Sequence, residues 1–135
     1  MEIIIRKDRT KTLQQRHPWI FARSIKKVIG NPGNGEVVRV RDEQGESYGW
    51  ASYSPNSAIR ARMLSWHVDE PVGAALIHDI LSTAIHHRNT MLDENNSACR
   101  LLHGESDFFP GLIVDRYADQ LVVQFLTSGS EFWKK

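Results

Sequence analysis

Glu36-Val37-Val38-Arg39-Val40-Arg41, Asp42-Glu43-Gln44-Gly45 and Ala58-Ile59-Arg60-Ala61-Arg62-Met63-Leu64-Ser65-Trp66 decide how this chain is read. Side chains on a strand alternate between two faces, so Val38 and Val40 fall on one side of the first segment and Arg39 and Arg41 on the other. The turn residues 42–45 predict a hairpin, with residues 46–53 as the returning strand. Ser54-Pro55-Asn56 reverses the chain again. In the third segment Ile59, Ala61 and Met63 share one face, and Arg60 and Arg62 share the other.

Outward from this core, residues 2–6 read as a short strand and residues 10–15 as one helical turn. That turn is expected to end before His17, because the residue preceding Pro18 disfavours the α region. Trp19, Ile20 and Phe21 form a compact apolar cluster, and residues 30–35 are a loop on turn chemistry alone. Several short strands within the first 68 residues predict a small closed or half-closed β barrel.

Beyond Asp69-Glu70-Pro71 the pattern turns helical. From residue 72 to about residue 93, Leu76, Ile80, Ala84 and Met91, with Ile77, Leu81 and Arg88, populate one broad side. Asp69 and Glu70 are expected at the positive end of its dipole, and Asn95-Asn96-Ser97 at its stop. Residues 100–103, 112–117 and 121–126 read as strands, with a loop over 104–111. The fold class is therefore α+β: a small barrel followed by an incomplete unit of one helix and short strands. Leu121-Val122-Val123-Gln124-Phe125 leaves an apolar strand edge to cover. That suggests a shortened chain or a unit completed by another chain.

The 135 residues are 41% hydrophobic and 24% charged, which excludes a disordered chain. No run approaches the roughly 20 apolar residues of a membrane span, and the charged start does not suit a secretory leader. A lone Cys99 rules out an internal disulfide and fits a reducing cytoplasm. Net charge is +1, but residues 1–68 hold twelve Lys/Arg against six Asp/Glu, whereas residues 69–135 hold five against ten. The basic half is the candidate partner of a polyanion.

Arg39, Arg41, Arg60 and Arg62 project from polar strand faces, while Arg16 and Arg23 stand with Arg6, Lys7, Arg9 and Lys11 in the N-terminal segment. Guanidinium groups suit phosphate because they present several donors in a planar fork. Trp19, Phe21, Tyr53 and Trp66 offer faces on which unpaired bases stack. Trp19 and Phe21 have a second reading as core. His86 and His87 are adjacent on a helix and His78 is distant, so no metal site is expected. His17 reads as a packing or hydrogen-bonding group, Glu105 and Asp107 as turn formers, Asp115 and Arg116 as ion-pairing groups, and Cys99 as structural. No Gly-x-Gly-x-x-Gly and no phosphate-binding loop is present, so neither a catalytic nor a cofactor residue is assigned.

Three motifs in order are more specific. Arg16-His17-Pro18-Trp19-Ile20-Phe21, then residues 51–62, then Gly104-Glu105-Ser106-Asp107 with residues 110–117, closely resemble the start of a bacterial methyltransferase family. Its members are S-adenosylmethionine-dependent enzymes that methylate carbon 5 of a cytosine in 23S ribosomal RNA. The resemblance covers essentially the whole chain. It implies an RNA-binding PUA pseudo-barrel over residues 1–68 and the beginning of a central α+β domain over 69–135. It also implies S-adenosylmethionine for a full-length protein, bound by a Rossmann-like domain that this sequence lacks.

The expectation is an RNA-binding module that positions 23S rRNA, with Arg16, Trp19, Arg23, Arg39, Arg41, Arg60 and Arg62 as the contacting residues. Its rival is a protein-interaction or homodimerisation unit built on the acidic half and its open strand.

Overall fold

The computed structural model describes residues 1–90 and 97–134. Strands β1 (Glu2–Ile5), β2 (Trp19–Phe21), β3 (Ile25–Ile29), β4 (Val37–Asp42), β5 (Ser47–Tyr53) and β6 (Ile59–Ser65) make one sheet in the order β2-β6-β5-β4-β1-β3. Helix α1 (Lys11–Gln14) lies between β1 and β2 in the chain. Pairing is antiparallel except between β1 and β4. Register shifts at Ile4/Ile5, Ile20/Phe21, Val40/Arg41 and Trp50/Ala51 add local twist, and the sheet curls into a half-barrel.

The expected alternation decides what fills it. Ile3, Ile5, Val38, Val40, Ala51 and Ala61 are fully buried, and Leu13 of α1 joins them. Each large aliphatic side chain among them contributes roughly 1.5–3 kcal/mol by leaving water. Asp42 is buried at the hairpin, where its Oδ1 accepts the Gln44 and Glu46 N–H groups at 2.9 Å each, which fixes the turn.

Two strands were not legible. Trp19-Ile20-Phe21 is β2, and only Ile20 is core at 2% exposure, whereas Trp19 and Phe21 are 38% and 37% exposed. The core reading of Trp19 and Phe21 is thereby corrected: both line the outside of a short edge strand. β3 escapes the period-two test because the register shift opposite Ile5 puts exposed Lys26 and Lys27 side by side between half-buried Ile25 and Val28.

The second half contains α2 (Ala74–Asn89), β7 (Ala98–His103), β8 (Leu112–Tyr117), β9 (Gln120–Phe125) and α3 (Ser128–Phe132), with β7-β8-β9 as an antiparallel sheet. Helix α2 starts after Gly73 and has no acidic residue in its first turn, so Asp69 and Glu70 lie ahead of the dipole position expected for them. The helical side chain Met91 and the proposed stop at Asn95 and Asn96 lie outside the described residues. Helix α3, unexpected, is opened by a capping box in which the Thr127 hydroxyl accepts the Ser130 N–H and the Ser130 hydroxyl accepts the Thr127 N–H, both at 3.2 Å.

One apolar core crosses from one half of the chain to the other. Leu64 packs with Ile77, Ala84, Leu102, Phe109 and Leu112, and Val37 and Trp50 border the same cluster. Val37, Trp50 and Leu64 belong to the outer face of the half-barrel, so that face is partly roofed by the second half.

Candidate nucleic-acid interface

The roof divides the arginine wall into separate places. At the β2–β6 edge, Trp19 stands opposite Arg62. The Trp19 indole N–H donates to Glu105 Oε1 at 2.8 Å, and the same carboxylate lies near Arg62. Burial lowers the Arg62 pKa, and Glu105 partly counteracts that shift by favouring the charge. Arg62 is therefore half-buried at the seam between the halves and is not fanned into open solvent.

Arg16, exposed, lies on the same side and lines a hollow with Pro18, Trp66, Glu105 and Phe108. Arg23 is exposed with its guanidinium 5.7 Å from the centre of the Phe21 ring. Arg16 and Arg23 are thus brought to β2 and β6, whereas Lys7 lies at the hairpin, its N–H bonding Glu43 at 2.7 Å.

Arg39 and Arg41 lie apart, on β4 and across β5 from that edge. The Arg39 guanidinium is 5.6 Å from the Trp50 ring centre and donates weakly to the Val68 carbonyl at 3.4 Å. Arg41 pairs with Glu2 at 3.6 Å and donates to the Gly45 carbonyl at 3.2 Å. Arg60 is elsewhere again, beside Lys26, Lys27 and Tyr53. The Nε groups of Arg39, Arg41 and Arg60 and the Trp50 indole N–H are buried and have no acceptor among the described residues. Buried donors of this kind call for water or a bound acceptor.

The carboxylates that sequence left without a catalytic role have structural partners. Arg88 grips Asp107 with two bonds of 2.8 and 3.0 Å, and the His103 N–H donates to Asp107 at 2.7 Å. Asp115 pairs with Arg100 through bonds of 2.8 and 3.0 Å, and Arg116 instead donates to the Ala118 carbonyl at 2.8 Å. The Arg100 guanidinium holds the Asp115 carboxyl below the usual carboxylate range. His17 Nδ1 accepts the Trp19 N–H at 3.2 Å, a hydrogen-bonding role as expected. Sequence reasoning missed Phe108, because its outward position depends on a left-handed turn that no residue type announces.

Residues 3–66 match the PUA-like domain family. Curated relatives align over nearly the whole chain. "Ribosomal RNA large subunit methyltransferase I" of Tolumonas auensis is 40% identical over 131 residues, covering 96% of this chain and 33% of the relative. The proteins of that name from Erwinia tasmaniensis and Pseudoalteromonas translucida are 38% and 36% identical, covering 98% and 96% of this chain and 34% and 33% of the relatives. The chain thus spans about a third of the length of these relatives. A solved structure from Streptococcus mutans, assigned as a SAM-dependent methyltransferase, superposes with a TM-score of 0.79 at 16% identity. It covers 98% of this chain and 34% of that one, a likeness of fold. An assigned methyltransferase solved in complex with SAH gives the same TM-score of 0.79 at 15% identity, covering 98% of this chain and 34% of that one.

Proposed function

We propose that this chain, whose residues 3–66 form a PUA-like domain, is the RNA-holding region of an rRNA methyltransferase. One observation carries the reading: the family match falls on the half with twelve Lys/Arg against six Asp/Glu, inside an alignment that runs the length of the chain. Residues 1–68 hold the RNA, and residues 69–135 begin a central α+β domain packed on their outer face. The substrate is 23S rRNA, the reaction methyl transfer to carbon 5 of a cytosine, and the compartment the cytoplasm.

The methyl donor in that reaction is S-adenosylmethionine, and the residues described do not fit it. Among them no Gly-x-Gly-x-x-Gly turn joins a strand to a helix, and β7-β8-β9 is antiparallel throughout. What this chain's residues supply is a grip. Arg16 and Arg23 are exposed for phosphate, with Trp19 beside them; Arg39, Arg41, Arg60 and Arg62 extend the positive field from half-buried positions. Neutralised phosphates release counterions, so affinity falls steeply with salt.

Fluorescence anisotropy with a 23S rRNA fragment at two salt concentrations tests this. Wild type is expected to bind and to weaken with salt, and an R16A/R23A variant to bind less tightly with a shallower salt slope. A wild-type chain that leaves the fragment free at low salt ends the reading.

A second reading rests on β9, an edge strand with Leu121, Val122 and Val123 exposed. Pairing of another chain there would make the acidic half an interaction or dimerisation unit. Light scattering separates the two readings: a tight dimer without RNA affinity favours the second, an RNA-binding monomer the first.

A further inference from the structure

Three non-glycine residues take a left-handed backbone among the described residues, and two of them, Arg16 (φ 56°) and Phe108 (φ 60°), stand on one cleft. Both sit where a helical turn ends. The Arg16 N–H bonds the Leu13 carbonyl at 2.8 Å and the His17 N–H bonds that of Thr12 at 2.9 Å. The Phe108 and Phe109 N–H groups bond the Glu105 and Gly104 carbonyls at 3.2 and 3.0 Å. Glycine fills such positions most easily, since a Cβ resists this conformation. An arginine and a phenylalanine stand there although neither is needed for packing: Arg16 is exposed and Phe108 is 68% exposed.

The cleft is about 580 Å³, within the range of small-ligand sites, and lies between the end of β6, helix α2 and the 104–108 turn. Trp66 and Ile80 give it apolar walls, and Asp79, Thr83 and Ser106 line it with acceptors. The exposed Arg16 guanidinium forms no ion pair or hydrogen bond among the described residues, so it is open to an anion. An exposed ring calls for a flat partner. A nucleotide carries both on one unit, and base–aromatic stacking is tolerant of sequence.

We propose that this cleft takes one unpaired nucleotide of RNA, its base against Phe108 and Trp66 and its phosphate on Arg16. The inference rests on the RNA-holding reading and adds to it a single-strand site at the seam, built from both halves of the chain. It makes the second half a part of the RNA site and not merely a connector.

Arg16→Gly and Phe108→Gly test it without endangering the fold, because glycine takes both backbones without strain; the relief offsets the freedom it adds to the unfolded chain, and Tm is expected to stay close to wild type. The probes are a mixed-sequence single-stranded RNA 12-mer and a blunt RNA duplex of the same length. On the single strand each variant is expected to bind at least fivefold more weakly than wild type. R16G lowers the salt slope by about one and F108G leaves it unchanged, which separates the phosphate contact from stacking. On the duplex F108G is expected to match wild type. If wild type binds the single strand and both glycine variants bind it equally well, the cleft assignment is overturned and the RNA-holding reading stands. If wild type binds neither RNA, the broader reading falls and the cleft with it. Loss of a wild-type dimer by F108G would assign the cleft to a second copy of the chain, and that too overturns the proposal.

Discussion

The indole N–H of Trp19 donates to the carboxylate of Glu105 at 2.8 Å across 86 residues of chain. The bond joins the edge strand of the half-barrel to the turn after β7, and Arg62 stands opposite Trp19 on β6. Glu105 thus does two opposed things: it ties the halves together and it offsets positive charge where RNA is expected to lie.

Those roles separate in Glu105→Gln. The amide oxygen still accepts the indole N–H, so thermal stability is expected to stay close to wild type. The lost negative charge raises the local potential, and RNA affinity at low salt is expected to rise a few fold, converging with wild type as salt screens the difference. Anisotropy titrations across salt check this; affinity unchanged at every salt would remove Arg62 and its neighbours from the binding field.

Leu64→Ala addresses the core beneath that bond. Leu64 is 5% exposed and packs among Ile77, Ala84, Leu102, Phe109 and Leu112. Its truncation is expected to cost about 3 kcal/mol in chemical denaturation. Because the lost contacts are those between the halves, the single unfolding transition is expected to broaden or split. A loss well under 1 kcal/mol would mean that the halves do not share this core.

The Asp115–Arg100 pair gives an acid dependence. Its Asp115 carboxyl is held below the ordinary carboxylate value, chiefly by the hydrogen bonds from Arg100. A depressed folded pKa stabilises the fold above the ordinary range, and that contribution is lost as pH falls through the folded value. Asp115→Asn is therefore expected to lower Tm at pH 7, and the gap to wild type to close as pH falls through and below the ordinary carboxylate range. A gap constant with pH would assign the loss to packing.

Helix α3 docks on the half-barrel through two glycines. A Cβ on Gly129 would meet the Ser52 side chain, and one on Gly35, at φ 87°, would meet the Ser128 carbonyl. Gly129→Ala is expected to cost about 2 kcal/mol and to speed hydrogen exchange in residues 128–132 while leaving β5 protected. Unchanged exchange there would show that the helix is held by its cap alone.

The strands carrying the arginines were legible because the arginines alternate with core residues along them. In β4 and β6, Val38, Val40, Ala61 and Met63 face the core while Arg39, Arg41, Arg60 and Arg62 do not. β2 was hidden because three residues are too few to show a period, β3 because its register shift sets Lys26 and Lys27 side by side, and α3 because Ser130 takes the place of Glu in its capping box. The site was legible in residue type and not in position. Nothing local in Val37, Trp50 and Leu64 says that a second layer covers them and half-buries Arg62 at the seam, and the strand order that sets β5 between Arg39 and Arg62 is equally silent in the sequence.

Strand β1 precedes both of its sheet neighbours in the chain and is an interior strand. β1 is flanked by β3 and β4, and its register with β4 runs from Glu2 opposite Arg39 to Ile5 opposite Asp42. During translation at about 5–20 residues per second, the apolar run Ile3-Ile4-Ile5 must wait a few seconds for its second neighbour to leave the exit tunnel. Until then the segment is an association hazard, and slowing synthesis between residues 29 and 37 would lengthen its exposure.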